Sequence, residues 1–418
     1  MKTLALFTLL FSSLYIHAQT IQPASRSELV YQDRLKRIDT LINEYIQKGY
    51  VKGVSTIVVK DNQLLQYKAY GYSNAETQTP MQPNDLFRIM SQTKAITSVA
   101  IMMLYEQGRL SLDEPVSDFI PAFKHPVVLN TYNAADTTYT TIPANKEITI
   151  RNLLTHSSGI DYADIGSAAM RAIYAKANIP SGLGEFNATL LDKMKTLAKL
   201  PLAFQPGERW TYGLNTDVLG CVVEVISGMS LEQFFTKKIF EPLGMKDTYF
   251  NVPASKASRL TTVYTEDAQH QVIPWALSFR NINPNYPLTP KHYFSGGAGL
   301  TSTAYDYAVF MQMLLNKGKY NGVQILSPAT VDTMVTEQLP FLINGRDNFG
   351  LGFEITSKKS AASGPRSEGS FGWGGYLGTV YWADPKEKLV CLFMIQQTPN
   401  SHGELEKKFE ELVYQSLR

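Results

Sequence analysis

Ser91, Gln92, Thr93 and Lys94 form a Ser-x-x-Lys tetrad, which places a hydroxyl nucleophile three residues before a primary amine. Residues three apart share one face of a helix, so the Ser91 hydroxyl and the Lys94 amine would be close enough to exchange a proton. A serine at a helix N-terminus also gains from the helix dipole, which stabilises negative charge near its backbone N–H. The tetrad predicts a nucleophilic serine that needs no histidine, although so short a motif also occurs by chance.

The segment after Ser91 has the apolar periodicity of a helix. Ile96, Val99, Ala100, Met103 and Leu104 follow the i, i+3, i+4, i+7, i+8 pattern of an amphipathic helix packed on a core. Gly108 is expected to end this helix. The sequence therefore supplies the scaffold that would hold the tetrad.

A tyrosine could share the proton transfer with the lysine. A lysine amine is mostly protonated at its ordinary pKa of about 10.4, so it is a poor base unless its surroundings change it. Tyr212 follows the turn Pro206-Gly207-Glu208 and precedes an apolar helix, a junction from which its side chain could enter a cleft. The alternative is a buried aromatic beside Trp210, which would be ordinary in a chain with 23 tyrosines.

The third feature is the glycine-rich run from Phe371 to Gly378 at the start of a predicted strand. Glycines weaken a strand unless a ligand or another backbone must come close. Gly374 and Gly375 on an edge strand would let an acyl group lie against them, while the Tyr376 N–H donates to an oxyanion. A bulge or bend would explain the same glycines equally well.

The remaining pattern predicts one antiparallel sheet built from both ends of the chain, with a mostly helical region between them. The boundaries expected are a sheet domain at 27–92 and 287–418 and a helical region at 93–286. The predicted elements are helices at 27–48, 304–316 and 405–417 and strands at 54–60, 64–72, 349–355, 378–383 and 389–396, with a hairpin turn at Asp61-Asn62 and a capping box of Thr303 and Asp306.

The N-terminus resembles a secretory signal peptide, with Lys2, an apolar run from Leu4 to Ile16 and a predicted cleavage after Ala18. We therefore expect signal residues 1–18 and a secreted or periplasmic product without a membrane span. The net charge of +2 gives no reason to expect a nucleic-acid partner. Cys221 and Cys391 lie in apolar runs and are expected to be buried thiols rather than a disulfide.

Scattered histidines without ligand spacing predict no metal, and no cofactor is expected. The absence of Gly-x-Ser-x-Gly argues against an α/β-hydrolase. The expected partner is a small-molecule acyl substrate, and the sequence leaves the oligomeric state open.

The order of the three features resembles the serine β-lactamase and penicillin-binding protein superfamily. The tetrad is followed about 120 residues later by Tyr212 and about 160 residues further on by the glycine-rich strand start. The surrounding segments that carry the resemblance are Phe87-Arg88-Ile89-Met90, the run from Ile148 to Gly159, and the run from Gly296 to Thr303. The resemblance spans roughly Ser27 to the C-terminus and implies an α/β (α+β) β-lactamase-like fold.

Where the sequence departs from the motifs of class C β-lactamases, it is similar to the family VIII carboxylesterases. Class C β-lactamases carry Tyr-x-Asn, whereas Gly213 and Leu214 follow Tyr212 here and Asn215 comes one place late. Trp373-Gly374-Gly375 stands in place of a Lys-Thr-Gly motif, and the run Asp217-Val218-Leu219-Gly220 adds to the likeness. An apolar Trp373 in place of a cation would suit neutral esters better than anionic lactams. Arg88 or Arg280 could still be recruited as a cation.

By this resemblance, Ser91 is the nucleophile, Lys94 and Tyr212 relay its proton, and the backbone N–H groups of Ser91 and Tyr376 form the oxyanion hole. Which of Lys94 and Tyr212 is the base stays open. Trp373, Gly374 and Gly375 would contact substrate, and His156 would be structural.

The expected activity is esterase-type hydrolysis of small acyl esters through an acyl-enzyme, and acyl transfer to another alcohol would use the same intermediate. The alternatives are a D-amino-acid peptidase or carboxypeptidase, a weak β-lactamase, and a sensor that is acylated without turnover. Loops at 162–184 and 265–291 are expected to shape the acyl pocket.

Overall fold

The computed structural model describes residues 20–24, 27–184, 187–276 and 282–418. The predicted signal peptide and Arg280 lie outside the described residues.

The described chain contains both helices and strands, with a run of consecutive helices between residues 150 and 243 in its middle. The α-helices are α1 (Gln32–Leu35), α2 (Arg37–Gln47), α3 (Thr93–Glu106), α4 (Ile150–Leu154), α5 (Ala168–Lys176), α6 (Leu190–Leu197), α7 (Asn215–Ser227), α8 (Leu231–Phe235), α9 (Glu241–Leu243), α10 (Ala304–Leu315), α11 (Pro328–Met334), α12 (Lys358–Ala361) and α13 (Glu404–Ser416). The strands are β1 (Gln22–Pro23), β2 (Gly53–Lys60), β3 (Gln63–Asn74), β4 (Thr79–Pro80), β5 (Phe87–Arg88), β6 (Val127–Tyr132), β7 (Tyr139–Pro143), β8 (Tyr264–Glu266), β9 (Val272–Pro274), β10 (Thr301–Ser302), β11 (Lys319–Tyr320), β12 (Val323–Gln324), β13 (Asn348–Phe349), β14 (Glu354–Ile355), β15 (Phe371–Gly375), β16 (Thr379–Asp384) and β17 (Leu389–Met394).

The central sheet joins the two ends of the chain, as the sequence predicts. Within the described residues its strand order is β1-β3-β2-β17-β16-β15-β14-β13, with β4 also paired to β3. The pairings are antiparallel except the short parallel pair of β1 and β3. Strand β2 contacts β17 directly, so N-terminal and C-terminal segments close one sheet. The fold is the β-lactamase-like α/β arrangement that the sequence resemblance implies.

Both faces of the sheet are buried because helices pack on each of them, and successive side chains of a strand point to opposite faces. On one face, Val58, Cys391 and Trp382 pack with helices α2 and α13. On the other, Ile57, Leu392 and Tyr381 join the large core that includes α3 and α10. Each layer of helices therefore covers one face of the sheet, and α3 lies on the side that carries Ser91.

Several predicted elements are confirmed with small shifts in their ends. Asp61 and Asn62 both have positive φ, 52° and 61°, which is the conformation of a tight turn between antiparallel strands. The predicted N-terminal helix is instead a 3₁₀ turn at Ser27–Leu29 followed by α1 and α2. The helical middle of the chain also contains two small hairpins, β6 with β7 and β8 with β9.

Three expectations about local structure are wrong. Helix α3 is buried on almost all sides, with eleven of its 14 residues buried, rather than amphipathic. The predicted strand 349–355 is two short strands joined by a turn in which Gly352 has a φ of 93°. Thr303 caps α10 through the Asp306 N–H, but the Asp306 carboxylate instead accepts from the Asp247 N–H, so no capping box forms.

Cys221 and Cys391 are both buried free thiols, as predicted. No single helix in the described part of the chain is long and apolar enough to cross a membrane. One bent pair, 215–227 with 231–243, meets that test by length and composition alone.

Candidate active site

Ser91 lies in a 3₁₀ turn, Met90–Gln92, that runs directly into α3. Lys94, in the first turn of α3, is only 4% exposed. Its Nζ lies 3.3 Å from Ser91 Oγ, 3.0 Å from Tyr162 Oη and 2.8 Å from the Gly297 carbonyl oxygen. These three acceptors match the three N–H donors of an ammonium group. The helical spacing of the tetrad thus brings Ser91 and Lys94 together as predicted.

Tyr162 is the site residue that the sequence reasoning missed. Its side chain is buried, and its hydroxyl accepts the Lys94 hydrogen bond. Burial, together with the nearby Tyr212 and Asp217, holds the pKa of Tyr162 well above its usual range. The residue begins the loop that was expected to shape the pocket, but an irregular loop has no periodicity that would have pointed to this particular side chain.

Tyr212 is half-buried at the junction before α7, with its ring in contact with several other groups of the site. The Lys94 Nζ lies 4.6 Å from the centroid of that ring, a cation–π distance. The Trp373 indole N–H donates to Tyr212 Oη across 3.3 Å. Tyr212 is therefore both a member of an aromatic cluster that contains Trp210 and a residue of the cleft beside Ser91.

The His156 ring packs against the Tyr212 ring. The two rings are 5.0 Å apart, and His156 Nδ1 lies 2.9 Å from Asn215 Nδ2. Burial, and secondarily the charge of Lys94, lowers the pKa of His156 well below its usual range. The imidazole is neutral and packs the aromatic cluster, which agrees with the structural role expected of it.

Among the described strands, only β16 pairs with the C-terminal half of the glycine-rich strand β15. Strand β16 pairs with β15 from Phe371 to Gly375, but β14 pairs only with its first two residues. A Cβ at Gly375 would lie 2.6 Å from the Ile89 carbonyl oxygen, whereas one at Gly374 would meet nothing closer than 3.4 Å. Glycine at 375 thus lets the strand approach the backbone that leads into Ser91, and Tyr376 follows it into the same cleft.

The cleft is a cavity of about 410 Å³. It is lined by Met90, Ser91, Tyr162, Asp164, Ile165, Ser181, Leu183, Tyr212, Ala298, Glu354, Arg366, Trp373, Gly374, Tyr376, Val380 and Glu406. The predicted loop 162–184 supplies five of these residues. The described part of loop 265–291 borders instead a smaller apolar pocket around Trp275 and Tyr286.

Arg88, one of the two cations suggested by the sequence, does not serve the cleft. Arg88 is 1% exposed and donates to the carbonyl oxygens of Pro284 and Thr261. Burial lowers its pKa to about 10. Arg366 lines the cleft but is paired with Glu410 across 2.7 Å. Among the described residues, no group of three or more His, Cys, Asp or Glu side chains is placed to hold a metal ion.

This geometry combines a hydroxyl, an amine and two phenols with two backbone segments at the floor of one cleft. Such a set can activate a serine, stabilise an oxyanion and pass a proton to a leaving group.

Comparison with known proteins defines the class. A family model described as Beta-lactamase matches residues 38–415. An uncharacterized protein of Mycobacterium tuberculosis is 35% identical over 374 residues, covering 86% of this chain and 89% of its own. The esterase EstB of Burkholderia gladioli is 28% identical over 375 residues, with the same coverage of 86% and 89%. The solved structure of EstCE1, described as a hydrolase with promiscuous acyltransferase activity, has a TM-score of 0.79 and 27% identity and covers 91% of this chain and 99% of its own.

A β-lactamase-like fold with this site defines a serine hydrolase. The chain belongs to the Beta-lactamase family, as the resemblance in the sequence implied.

Proposed function

We propose that this protein is an esterase that hydrolyses small acyl esters through an acyl-enzyme on Ser91. The observation that carries the proposal is the 3.3 Å contact between Lys94 Nζ and Ser91 Oγ at the floor of a cleft walled by Trp373. The relation to EstB, which is named an esterase, supports the same activity.

In the proposed reaction, Ser91 Oγ attacks the ester carbonyl while its proton passes to Tyr212, which accepts it as a phenolate beside the Lys94 ammonium, so that Lys94 and Tyr212 relay the proton as a pair. The backbone N–H groups of Ser91 and Tyr376 stabilise the oxyanion. Collapse of the tetrahedral intermediate returns the proton to the departing alkoxide and leaves an ester on Ser91. Water, activated by the same pair, then hydrolyses this acyl-enzyme to the acid and free Ser91.

The charges of the cleft support a neutral acyl ester as substrate rather than an anionic lactam. Asp164, Glu354 and Glu406 line the cavity, and the positive charge of Arg366 is already paired with Glu410. An anionic substrate would approach these three acidic side chains at close range, which costs binding free energy. Trp373 offers such a substrate an aromatic face rather than a counter-charge.

We also propose that the protein is exported. Lys2, the apolar run from Leu4 to Ile16 and the small residue Ala18 support a cleavable signal peptide. The size of the protein recovered from the cell envelope or the medium, measured by intact mass, tests this proposal.

The activity is tested by turnover of p-nitrophenyl butyrate, beside a chromogenic cephalosporin and a D-alanyl-D-alanine peptide. Ester hydrolysis that disappears in Ser91→Ala and persists in Ser363→Ala is expected, because Ser363 is exposed at the end of α12. Turnover of the cephalosporin or the peptide without the ester would replace the proposal by a lactamase or peptidase. Labelling of Ser91 without any turnover would indicate a sensor.

A further inference from the structure

Asp217 is a buried carboxylate with no role in the reaction described so far. It lies in the first turn of α7 and is 0% exposed. Lys94 lies in the first turn of α3, and α3 packs against α7. The starts of these two helices thus bring a buried carboxylate and a buried amine to the same region behind Ser91.

The segment Gly296-Gly297 fills the gap between the two helices. A Cβ at Gly296 would lie 2.5 Å from the Thr216 carbonyl oxygen, and the Gly296 carbonyl accepts from Thr97 Oγ1 across 2.7 Å. The segment therefore touches α7 on one side and α3 on the other, and a side chain at position 296 would force the helices apart.

Gly297 shows how close the functional groups come. An ideal Cβ at this residue would lie 2.6 Å from Asp217 Oδ2, 3.4 Å from Lys94 Nζ and 3.5 Å from Tyr162 Oη. The three side chains thus surround one point beside a single glycine, and the backbone of that glycine accepts the Lys94 hydrogen bond.

The two oxygens of the Asp217 carboxylate differ in their surroundings. Asp217 Oδ1 accepts from the Tyr293 hydroxyl across 3.4 Å, while the buried Oδ2 has no hydrogen-bond partner among the described residues. Burial raises the pKa of Asp217 to about 6, and hydrogen bonding by Ser295, the charge of Lys94, and hydrogen bonding by Tyr293 and the Gly297 backbone oppose this shift. A buried carboxylate is further stabilised by a compensating positive charge.

Four other titratable groups around the pair are neutral. Burial holds the pKa values of Tyr162, Tyr293 and Cys221 well above their usual ranges, and that of His156 well below. The ring of Tyr212 packs on the other side of Lys94. Asp164 lines the cleft and acts on Tyr162. Within the described region behind Ser91, the opposite charges that face each other are therefore those of Lys94 and Asp217.

We propose that Asp217 is a positioning residue for acylation of Ser91: its carboxylate is the buried counter-ion that keeps the Lys94 ammonium in contact with the Ser91 hydroxyl. The inference rests on the proposed function, since it takes Ser91 as the nucleophile. Without the carboxylate, the Lys94 charge is uncompensated, and its side chain moves away from Gly297 and Ser91.

The test is the rate of Ser91 labelling by a fluorophosphonate, which measures acylation independently of ester turnover. Asp217→Asn preserves the shape of the side chain and removes its charge. Asp306→Asn is the matched control, because Asp306 is also buried and burial likewise raises its pKa to about 6, but its carboxylate accepts from Asp247 and Thr248 on another part of the fold.

At about pH 8, labelling of Asp217→Asn is expected to be about 10- to 100-fold slower than that of wild type, the usual cost of a misplaced catalytic group. Asp306→Asn should be labelled at the wild-type rate. The wild-type rate should also fall as the pH is lowered through about 6, where Asp217 takes up a proton. This step should be absent from Asp217→Asn and present in Asp306→Asn.

Two results would overturn the inference: equal labelling of the two variants at high pH, or a step near pH 6 that Asp217→Asn retains. If Asp217→Asn fails to fold, the wild-type pH profile still decides, because a rate that is constant between about pH 5 and pH 8 contradicts the proposal. If wild type is not labelled at Ser91 at any pH, it is the proposed function that fails.

Discussion

The Trp373 indole N–H donates to Tyr212 Oη across 3.3 Å. A residue of the glycine-rich strand thus holds the tyrosine that lies beside the tetrad. Both residues line the cleft, and their rings are 5.5 Å apart. Trp373, which stands in place of the lysine of a Lys-Thr-Gly motif, therefore makes two kinds of contact in the site. It presents an aromatic face to the cleft, and its N–H donates to a phenol beside Lys94.

Trp373→Phe separates these two kinds of contact, since phenylalanine keeps the aromatic face and lacks the donor. We expect kcat for p-nitrophenyl butyrate to fall about three- to tenfold with little change in KM, because a neutral hydrogen bond contributes about 1 kcal/mol. Steady-state kinetics measures both constants. Trp210→Phe, a change in the same aromatic cluster, is the control; a rise in KM at constant kcat would show that Trp373 serves substrate binding alone.

Tyr162→Phe removes the hydroxyl that accepts from Lys94 Nζ. The ammonium then keeps a buried donor without a partner and is less firmly held at Ser91, so we expect kcat/KM to fall about 10- to 100-fold. Tyr174→Phe removes the hydroxyl of another buried tyrosine, which lies on α5 and accepts from the Asp161 N–H. Comparable kinetics in the two variants would contradict a role for Tyr162 in the site.

Gly375→Ala and Gly374→Ala form a matched pair on one strand. An added Cβ at 375 would lie 2.6 Å from the Ile89 carbonyl oxygen, and the one at 374 has 3.4 Å of clearance. We expect Gly375→Ala to lower kcat/KM by about 100-fold, because it displaces Tyr376 from the backbone before Ser91. Gly374→Ala should retain most activity. Equal losses in both variants, with equal melting temperatures, would remove the reason given for glycine at 375.

Asp306 makes stability depend on pH in a direction that can be measured. Burial raises its pKa from 3.8 to about 6 in the folded protein. A carboxyl with a raised folded pKa binds protons more strongly when folded, so its contribution to stability is fully present below its unfolded pKa and is lost as the pH rises through about 6. Between about pH 8 and pH 4, the free energy of unfolding of wild type should therefore increase relative to Asp306→Asn by up to about 3 kcal/mol.

Denaturant unfolding of both proteins across that range measures the difference. Asp113→Asn is a control in which the pH dependence of the free energy of unfolding has the opposite sign, because pairing with Arg151 lowers the pKa of Asp113. Its contribution is present above the unfolded pKa and lost as the pH falls. A parallel pH dependence for Asp306→Asn and wild type would show that Asp306 does not titrate in this range.

The parts of the site that follow a local period could be predicted from the sequence. Ser91 and Lys94 are three residues apart at the start of a helix, and the strands of the sheet alternate or run apolar for their length. Gly375 could be identified as a point of close approach, although the group that approaches it is the Ile89 backbone rather than a ligand alone.

The parts of the site that depend on residues distant in the sequence could not be predicted. Tyr162 reaches Lys94 from an irregular loop, and Arg88 is held by carbonyl groups of residues far along the chain. Asp306 has the spacing of a capping box, but its carboxylate accepts from Asp247 and Thr248, which no local pattern reveals. The strand expected at 349–355 is interrupted because Gly352 adopts a positive φ.

The direct pairing of β2 with β17 determines when the site can form during synthesis of the chain. Ser91 and Lys94 leave the ribosome long before Tyr376, and β15 can approach Ile89 only after β16 and β17 have joined the sheet. Long-range strand pairing is a slow event in folding. A growing chain therefore carries Ser91 and Lys94 before the strands that complete the site have formed, and the proposed hydrolysis is expected to begin only when synthesis is nearly complete.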